Sequence, residues 1–185
     1  MSFDLNSVYF LNSIFSSSNL LEWTVVFFGQ YIPYFVVVIV LLFPVSKYFK
    51  ANGKIIFLSA TFSVAISEFI SRVLLLQFFH RARPFVLNDG ITPIIYRGLT
   101  NYFDSFPSGH ATFMFAIAVS VYYFDSKVGK LFIVLGLLVV ISRISAGIHY
   151  PSDVLVGALI GGIVGYFVSV IFKSFYKHLE INIWR

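Results

Sequence analysis

Between Ser142 and Asp153 the chain reads Ser-Arg-Ile-Ser-Ala-Gly-Ile-His-Tyr-Pro-Ser-Asp, which sets Arg143, His149 and Asp153 at the hinge between two apolar runs. A cation, an imidazole and a carboxylate beside hydrocarbon each cost free energy unless they are paired or used. If Pro151 takes the first position of a helix, Asp153 falls in the first turn and His149 just ahead of it. That spacing lets a carboxylate reach an imidazole N–H and fix its tautomer, which leaves the other ring nitrogen as a nucleophile or base. The same residues also fit a loop ion pair beside a buried histidine.

Two further segments carry groups of the same kind. In His80-Arg81-Ala82-Arg83-Pro84-Phe85 the proline disfavours helix at Arg83, and the two arginines form a fork suited to phosphate or carboxylate, or to snorkelling at a membrane surface. In Phe106-Pro107-Ser108-Gly109-His110 proline and serine precede an apolar run, the mark of a helix N-terminus. Glycine there permits close approach, so free N–H groups at the positive end of a helix make an anion site beside His110. His110, His149 and Asp153 are also a conceivable set of metal ligands, but arginines around the same point repel a cation and attract an anion. Two guanidinium groups, a helix N-terminus and two imidazoles suit a transferring phosphoryl group: one ring attacks and the other protonates the leaving oxygen.

Long apolar elements must position these groups. The 185 residues are 58% hydrophobic, 19% aromatic and 11% charged, which excludes an ordinary soluble domain and predicts an all-α integral membrane protein. Five spans account for the chain, at about 23–43, 55–79, 108–124, 129–148 and 152–173, leaving no room for a second domain. Residues 1–22 have no basic region or small-residue cleavage pattern, which argues against a removed signal. They predict an interfacial helix with Phe3, Val8, Leu11, Ile14 and Phe15 on one face and Ser and Asn opposite. Without cysteine, disulfides and thiol chemistry are excluded. The net charge of +5 is no sign of nucleic acid. Lys47, Lys50, Lys54, Lys127, Lys130, Lys173 and Lys177 all follow the first, third or fifth span, which the positive-inside rule makes cytoplasmic. Trp184 and Arg185 extend that side as an anchor, and every candidate site segment falls on the opposite, extracytoplasmic side.

The first span, with Gln30 and Pro33, suggests no chemistry. Glu68 and Arg72 sit four residues apart on one helical face, near mid-membrane, where they read as an ion pair setting helix register or as a gating or proton-handling pair. Arg97 and Asp104 fall in an outer loop over residues 86–106, where a headgroup contact and a solvated charge are both open. The third span has only fourteen apolar residues from Ala111 to Phe124, about 21 Å, so its N-terminal pocket should lie sunken. Gly157, Gly161 and Gly165 predict close helix packing in the fifth.

Arg83-Pro84, Pro107-Ser108-Gly109-His110, and Ser142-Arg143 with His149 and Asp153 resemble the three signature blocks of the type 2 phosphatidic acid phosphatase superfamily, the second present in full and the third agreeing in order and spacing. The resemblance implies a family-like helical core and a metal-independent phosphatase of membrane lipid phosphates, with no cofactor. It also implies the roles. His149 would attack phosphorus and form a phosphohistidine, Asp153 would orient that ring, and His110 would protonate the leaving oxygen and then activate water. Arg83, Arg143, Ser108 and the Gly109 backbone would hold the phosphoryl oxygens. A lysine usual in the first block is replaced by Leu76, and Arg81, ahead of Arg97 or Arg72, is the expected substitute. Size, five spans and the surface helix look similar to bacterial undecaprenyl-diphosphatases, implying undecaprenyl diphosphate as substrate. Phosphatidylglycerophosphate, phosphatidate and lipid A phosphates are the alternatives. A lipid phosphotransferase of the same fold, and a phospholipid transporter using Glu68 and Arg72, are the rival readings. Oligomeric state is left open.

Overall fold

The computed structural model describes residues 3–49, 52–75, 77–95 and 102–183. Lys50, Leu76, Arg97, Trp184 and Arg185, singled out above, lie outside them. The described residues form helices α1 (Phe3–Phe15), α2 (Asn19–Val26), α3 (Ile32–Leu42), α4 (Asn52–Glu68), α5 (Pro84–Leu87), α6 (Gly109–Phe124), α7 (Ser126–Ser145) and α8 (Pro151–Ile183). A wide π turn, Phe27–Tyr31, joins α2 to α3, and another, Phe69–Leu75, extends α4.

This is a membrane protein. Among the described residues four segments are long and apolar enough to cross a bilayer: Asn19–Val45, Asn52–Val73, Ser126–Ser145 and Pro151–Lys177. The fifth, α6, has 16 residues, about 24 Å. Phe35, Leu41, Leu159 and Phe167 are more than half exposed around the bundle, the pattern of a surface facing hydrocarbon.

Helix α6 is central, packed between α4, α7 and α8. The glycines of α8 permit this: a Cβ at Gly157, Gly161 or Gly165 would lie 2.5, 2.2 or 2.8 Å from the carbonyl oxygens of Ser108, Thr112 and Ala116. With so little space between backbones, dispersion and buried hydroxyls hold the pair. Ser120 Oγ donates to Ser63 Oγ at 2.9 Å, and Ser59 and Ser169 join α4 to α8 at 2.9 Å.

Several element ends differ from the sequence reading. Helix α7 begins at Ser126, because Asp125 caps it by accepting from the Val128 N–H at 3.0 Å; the connection from α6 is a single residue. It ends at Ser145, where Gly147 at φ 74° turns the chain back toward the bundle. Among the described residues the helical form of the second span reaches Leu75, and Gln77 and Phe78 are a turn rather than helix up to Phe79, the Leu75 carbonyl accepting from the N–H groups of Phe78 and Phe79 at 3.0 Å each. Helix α8 extends well beyond residue 173, with Tyr176 packed on the core cluster. Helix α1 is present, but its buried residues are Val8 and Asn12, while Phe3 is 82% exposed. Asn12 turns inward because its amide donates to the carbonyls of Thr92 and Ser145 at 2.8 and 2.9 Å and accepts from the Thr92 N–H at 3.0 Å.

Candidate active site

Backbone bonds join the three candidate segments. Arg81 O accepts from the Ser105 N–H at 3.0 Å and the Arg83 N–H donates to Tyr102 O at 2.9 Å, a short pairing that holds the arginine fork against the stretch before Pro107. The Ser108 N–H donates to Asp153 O at 3.1 Å, which ties the start of α6 to the start of α8. Val8, Ala111, Ile144, Tyr150 and Val154 form one apolar cluster at this end, so α1 packs over the point where α6 begins and α7 ends.

His149, Asp153, Arg143 and Ser108 are buried there. His149 Nδ1 lies 2.8 Å from the carbonyl oxygen of Ser105, and Nε2 lies 3.2 Å from Arg83 Nη1. A carbonyl only accepts and a guanidinium only donates, so the two partners require Nδ1–H and leave the lone pair on Nε2. Asp153 Oδ2 is 3.8 Å from Nδ1. It accepts instead from Ser105 Oγ at 2.5 Å and the Tyr150 N–H at 2.9 Å, so the carboxylate meets the ring chiefly through Ser105. Burial pushes the His149 imidazole down to about 4, against the upward pull of Asp153, and the charges of Arg143 and Arg83 add to the lowering.

His110 stands in the first turn of α6, within electrostatic reach of Arg143, His149, Arg72 and Arg83. It lines a cleft of about 310 Å³ together with Gln30, Glu68, Arg72 and Gly109. Arg143 Nη1 donates to Gly29 O at 3.2 Å, a carbonyl in the first wide turn. Arg143 Nε and Ser108 Oγ are buried and make no hydrogen bond among the described residues. Buried donors left unspent carry a desolvation cost that an anion would relieve. Arg83 is thus the group seen against Nε2 of His149, while Arg143 and Ser108 are buried at the same end of the bundle with donors to spare, the kind of group a phosphoryl oxygen requires.

Arg81 faces other partners. Its guanidinium donates to Asp153 Oδ1 at 2.6 Å, Ser152 Oγ at 2.7 Å and Asp4 Oδ2 at 2.9 Å, and lies 3.8 Å above the Tyr150 ring. Asp4 also accepts from the Ser152 N–H at 3.0 Å, capping α8 from another helix. Burial alone would raise the Asp4 carboxyl, but hydrogen bonds from Ser152 and Arg81 outweigh it and hold the group below its ordinary range. The expected phosphate contact at Arg81 has no support in this geometry, because two carboxylates already occupy the cation.

Ser105, Asp4, Ser152 and Gly29 were not singled out in the sequence. Gly29, and Ser105 toward His149, act through backbone carbonyls, which no residue type advertises. Asp4 meets Ser152 across 148 positions. Among the described residues, no three His, Asp or Glu groups stand close enough to hold a metal ion.

The sequence pattern of the PAP2 superfamily matches residues 56–177. The chain is 28% identical over 165 residues to the bacitracin transport permease protein BcrC of Bacillus licheniformis, covering 89% of this chain and 78% of that protein. It is 33% identical over 101 residues to the undecaprenyl-diphosphatase BcrC of Bacillus subtilis (strain 168), covering 55% of this chain and 50% of that one, about half of that relative's length. The fold is similar to that in the crystal structure of Aquifex aeolicus LpxE, with a TM-score of 0.71 and 24% identity over 91% of this chain and 95% of that chain.

Proposed function

This chain belongs to the PAP2 superfamily, and on that premise we propose that it is a membrane lipid phosphatase working through a phosphohistidine at His149. The observation that carries the reading is the state of the His149 ring: Nδ1–H is spent on the Ser105 carbonyl, and the lone pair of Nε2 faces Arg83. In the first step Nε2 attacks phosphorus, the bond to the leaving oxygen breaks, and His110 donates the proton which that oxygen needs. In the second step His110 takes a proton from water, the hydroxide attacks the phosphohistidine, and inorganic phosphate leaves with His149 restored. Arg83, Arg143, Ser108 Oγ and the Gly109 N–H balance the charge on the equatorial oxygens in both steps.

A lipid substrate is favoured over a soluble one by the shape of the cleft. Beyond Val37 and Phe113 it meets a second, apolar cleft of about 240 Å³ between α3, α4 and α6, lined by Val40, Leu41, Phe57 and Ile117. A hydrocarbon chain suits that lining. The relative named as an undecaprenyl-diphosphatase supports a polyprenyl diphosphate as the preferred lipid, and the lysine-rich connections support an extracytoplasmic site. The relative named as a bacitracin transport permease favours a second reading, a transporter, with the Glu68–Arg72 cleft as its site in this chain.

One experiment separates the two. Purified protein with chelator present is given undecaprenyl diphosphate, phosphatidylglycerophosphate, phosphatidate or a lipid A phosphate, and free phosphate is scored. The phosphatase reading expects release, fastest from the diphosphate and abolished by His149→Ala. No phosphate released from any of these lipids would overturn it.

A further inference from the structure

Arg72 and Glu68 form an ion pair one helical turn apart, Arg72 Nε donating to Glu68 Oε2. The pair adjoins the candidate site. A Cβ built on Gly109 would lie 2.9 Å from Arg72 Nη2 and 3.4 Å from its Cζ, so the guanidinium rests against the backbone at the start of α6. Arg72 and Glu68 share the wall of the 310 Å³ cleft with His110. The short α6 begins deep enough for its N-terminus to meet a pair that the sequence alone put at mid-membrane.

Glu68 takes only the Nε edge of Arg72. Among the described residues neither Nη group makes a hydrogen bond, and the side chain is 63% exposed although its segment is apolar. A cation with unspent donors at that depth is costly unless an anion completes it. Glu68 Oε1 is likewise buried without a hydrogen bond, so within the described residues the carboxylate serves Arg72 alone. Arg81, the substitute expected from the sequence, is taken up by Asp4 and Asp153.

We propose that Arg72 binds a non-bridging oxygen of the lipid phosphate from the cleft side, and that Glu68 is a positioning residue holding the guanidinium against Gly109. The inference rests on the phosphatase reading.

Steady-state kinetics of the purified protein on a lipid diphosphate, with orthovanadate as a phosphate-mimicking inhibitor, test it. Arg72→Gln should raise both KM and the vanadate inhibition constant about tenfold or more while kcat falls less, the loss of one contact to a charged group. Arg72→Lys should recover part of that loss. Glu68→Gln should raise both constants by a smaller factor and add nothing in the Arg72→Gln background. Unchanged KM and vanadate inhibition in Arg72→Gln, or effects of the two substitutions that simply multiply, would overturn the proposal. If Arg72→Gln does not fold, Glu68→Gln alone serves instead: it weakens the hold on the guanidinium, and KM should rise together with the vanadate inhibition constant. An unchanged KM there would equally count against it. A wild type that releases no phosphate brings down the phosphatase reading and this inference together, whereas normal release with unmoved Arg72 kinetics brings down the inference alone.

Discussion

His149 Nδ1 lies 2.8 Å from the carbonyl oxygen of Ser105. The ring is thus oriented by a backbone group that cannot change its protonation. Asp153 acts one bond away, holding Ser105 by its Oγ at 2.5 Å while standing 3.8 Å from the imidazole. In the expected arrangement the carboxylate addresses the ring directly; here Ser105, in the loop before Pro107, bonds to both.

The first prediction concerns pH. The His149 imidazole is pushed down by burial from 6.5 to about 4, so the folded protein keeps the ring neutral where the unfolded chain is protonated. Between those values the unfolded state binds more protons, and stability falls as pH is lowered through that window. At full extent the loss is about 3 kcal/mol. Thermal unfolding in detergent from pH 7 to 4 should fall more steeply for the wild type than for His149→Gln. Equal slopes would contradict a buried neutral ring.

Arg81 should matter to stability more than to phosphate binding. Arg81→Gln leaves buried Asp153 and partly buried Asp4 without their cation, at a cost of about 3 kcal/mol. Asp4→Ala removes the cap on α8 and should cost about 1 kcal/mol. Melting temperatures together with KM for both variants and for Arg83→Gln check this. If Arg81→Gln raised KM as much as Arg83→Gln and left the melting temperature in place, Arg81 would be a phosphate contact after all.

Helix α8 offers an internal control. A Cβ at Gly161 would lie 2.2 Å from the Thr112 carbonyl oxygen, which backbone cannot yield, whereas at Gly162 the nearest atom is Val119 Cγ2 at 3.6 Å. Gly161→Ala should destabilise by about 2 kcal/mol and lower activity, because α6 carries Ser108 and His110. Gly162→Ala should stay within about 0.5 kcal/mol of the wild type. Similar melting temperatures for the two would contradict the tight α6–α8 contact.

His110 as general acid predicts a dependence on the leaving group. His110→Ala should slow hydrolysis of an alkyl phosphate by about a hundredfold or more. A diphosphate should lose less, since the departing phosphate needs less protonation. Equal losses on both would argue for a different role.

The membrane class and the segments carrying Arg83, Ser108, His110, Arg143, His149 and Asp153 were legible because charged groups beside apolar runs stand out and their spacing matches helix ends. The wide turns at Phe27–Tyr31 and Phe69–Leu75 were not, since nothing in residue type distinguishes them from ordinary helix. For the same reason the first span suggests no chemistry in sequence, although Gly29 O receives Arg143 and Gln30 lines the cleft. Partner choice was also hidden. Arg81 has Asp4, Asp153 and a phosphate as plausible anions, and the tertiary placement of α1 favours the carboxylates.

Trapping the covalent intermediate tests the central claim most directly. The purified protein is mixed with a lipid diphosphate labelled in its terminal phosphate, quenched in alkali within one turnover, and the labelled peptide is identified. The label should appear on the peptide bearing His149 and be missing from His149→Ala, which should also release no phosphate. Phosphate release by His149→Ala at the wild-type rate would contradict the account.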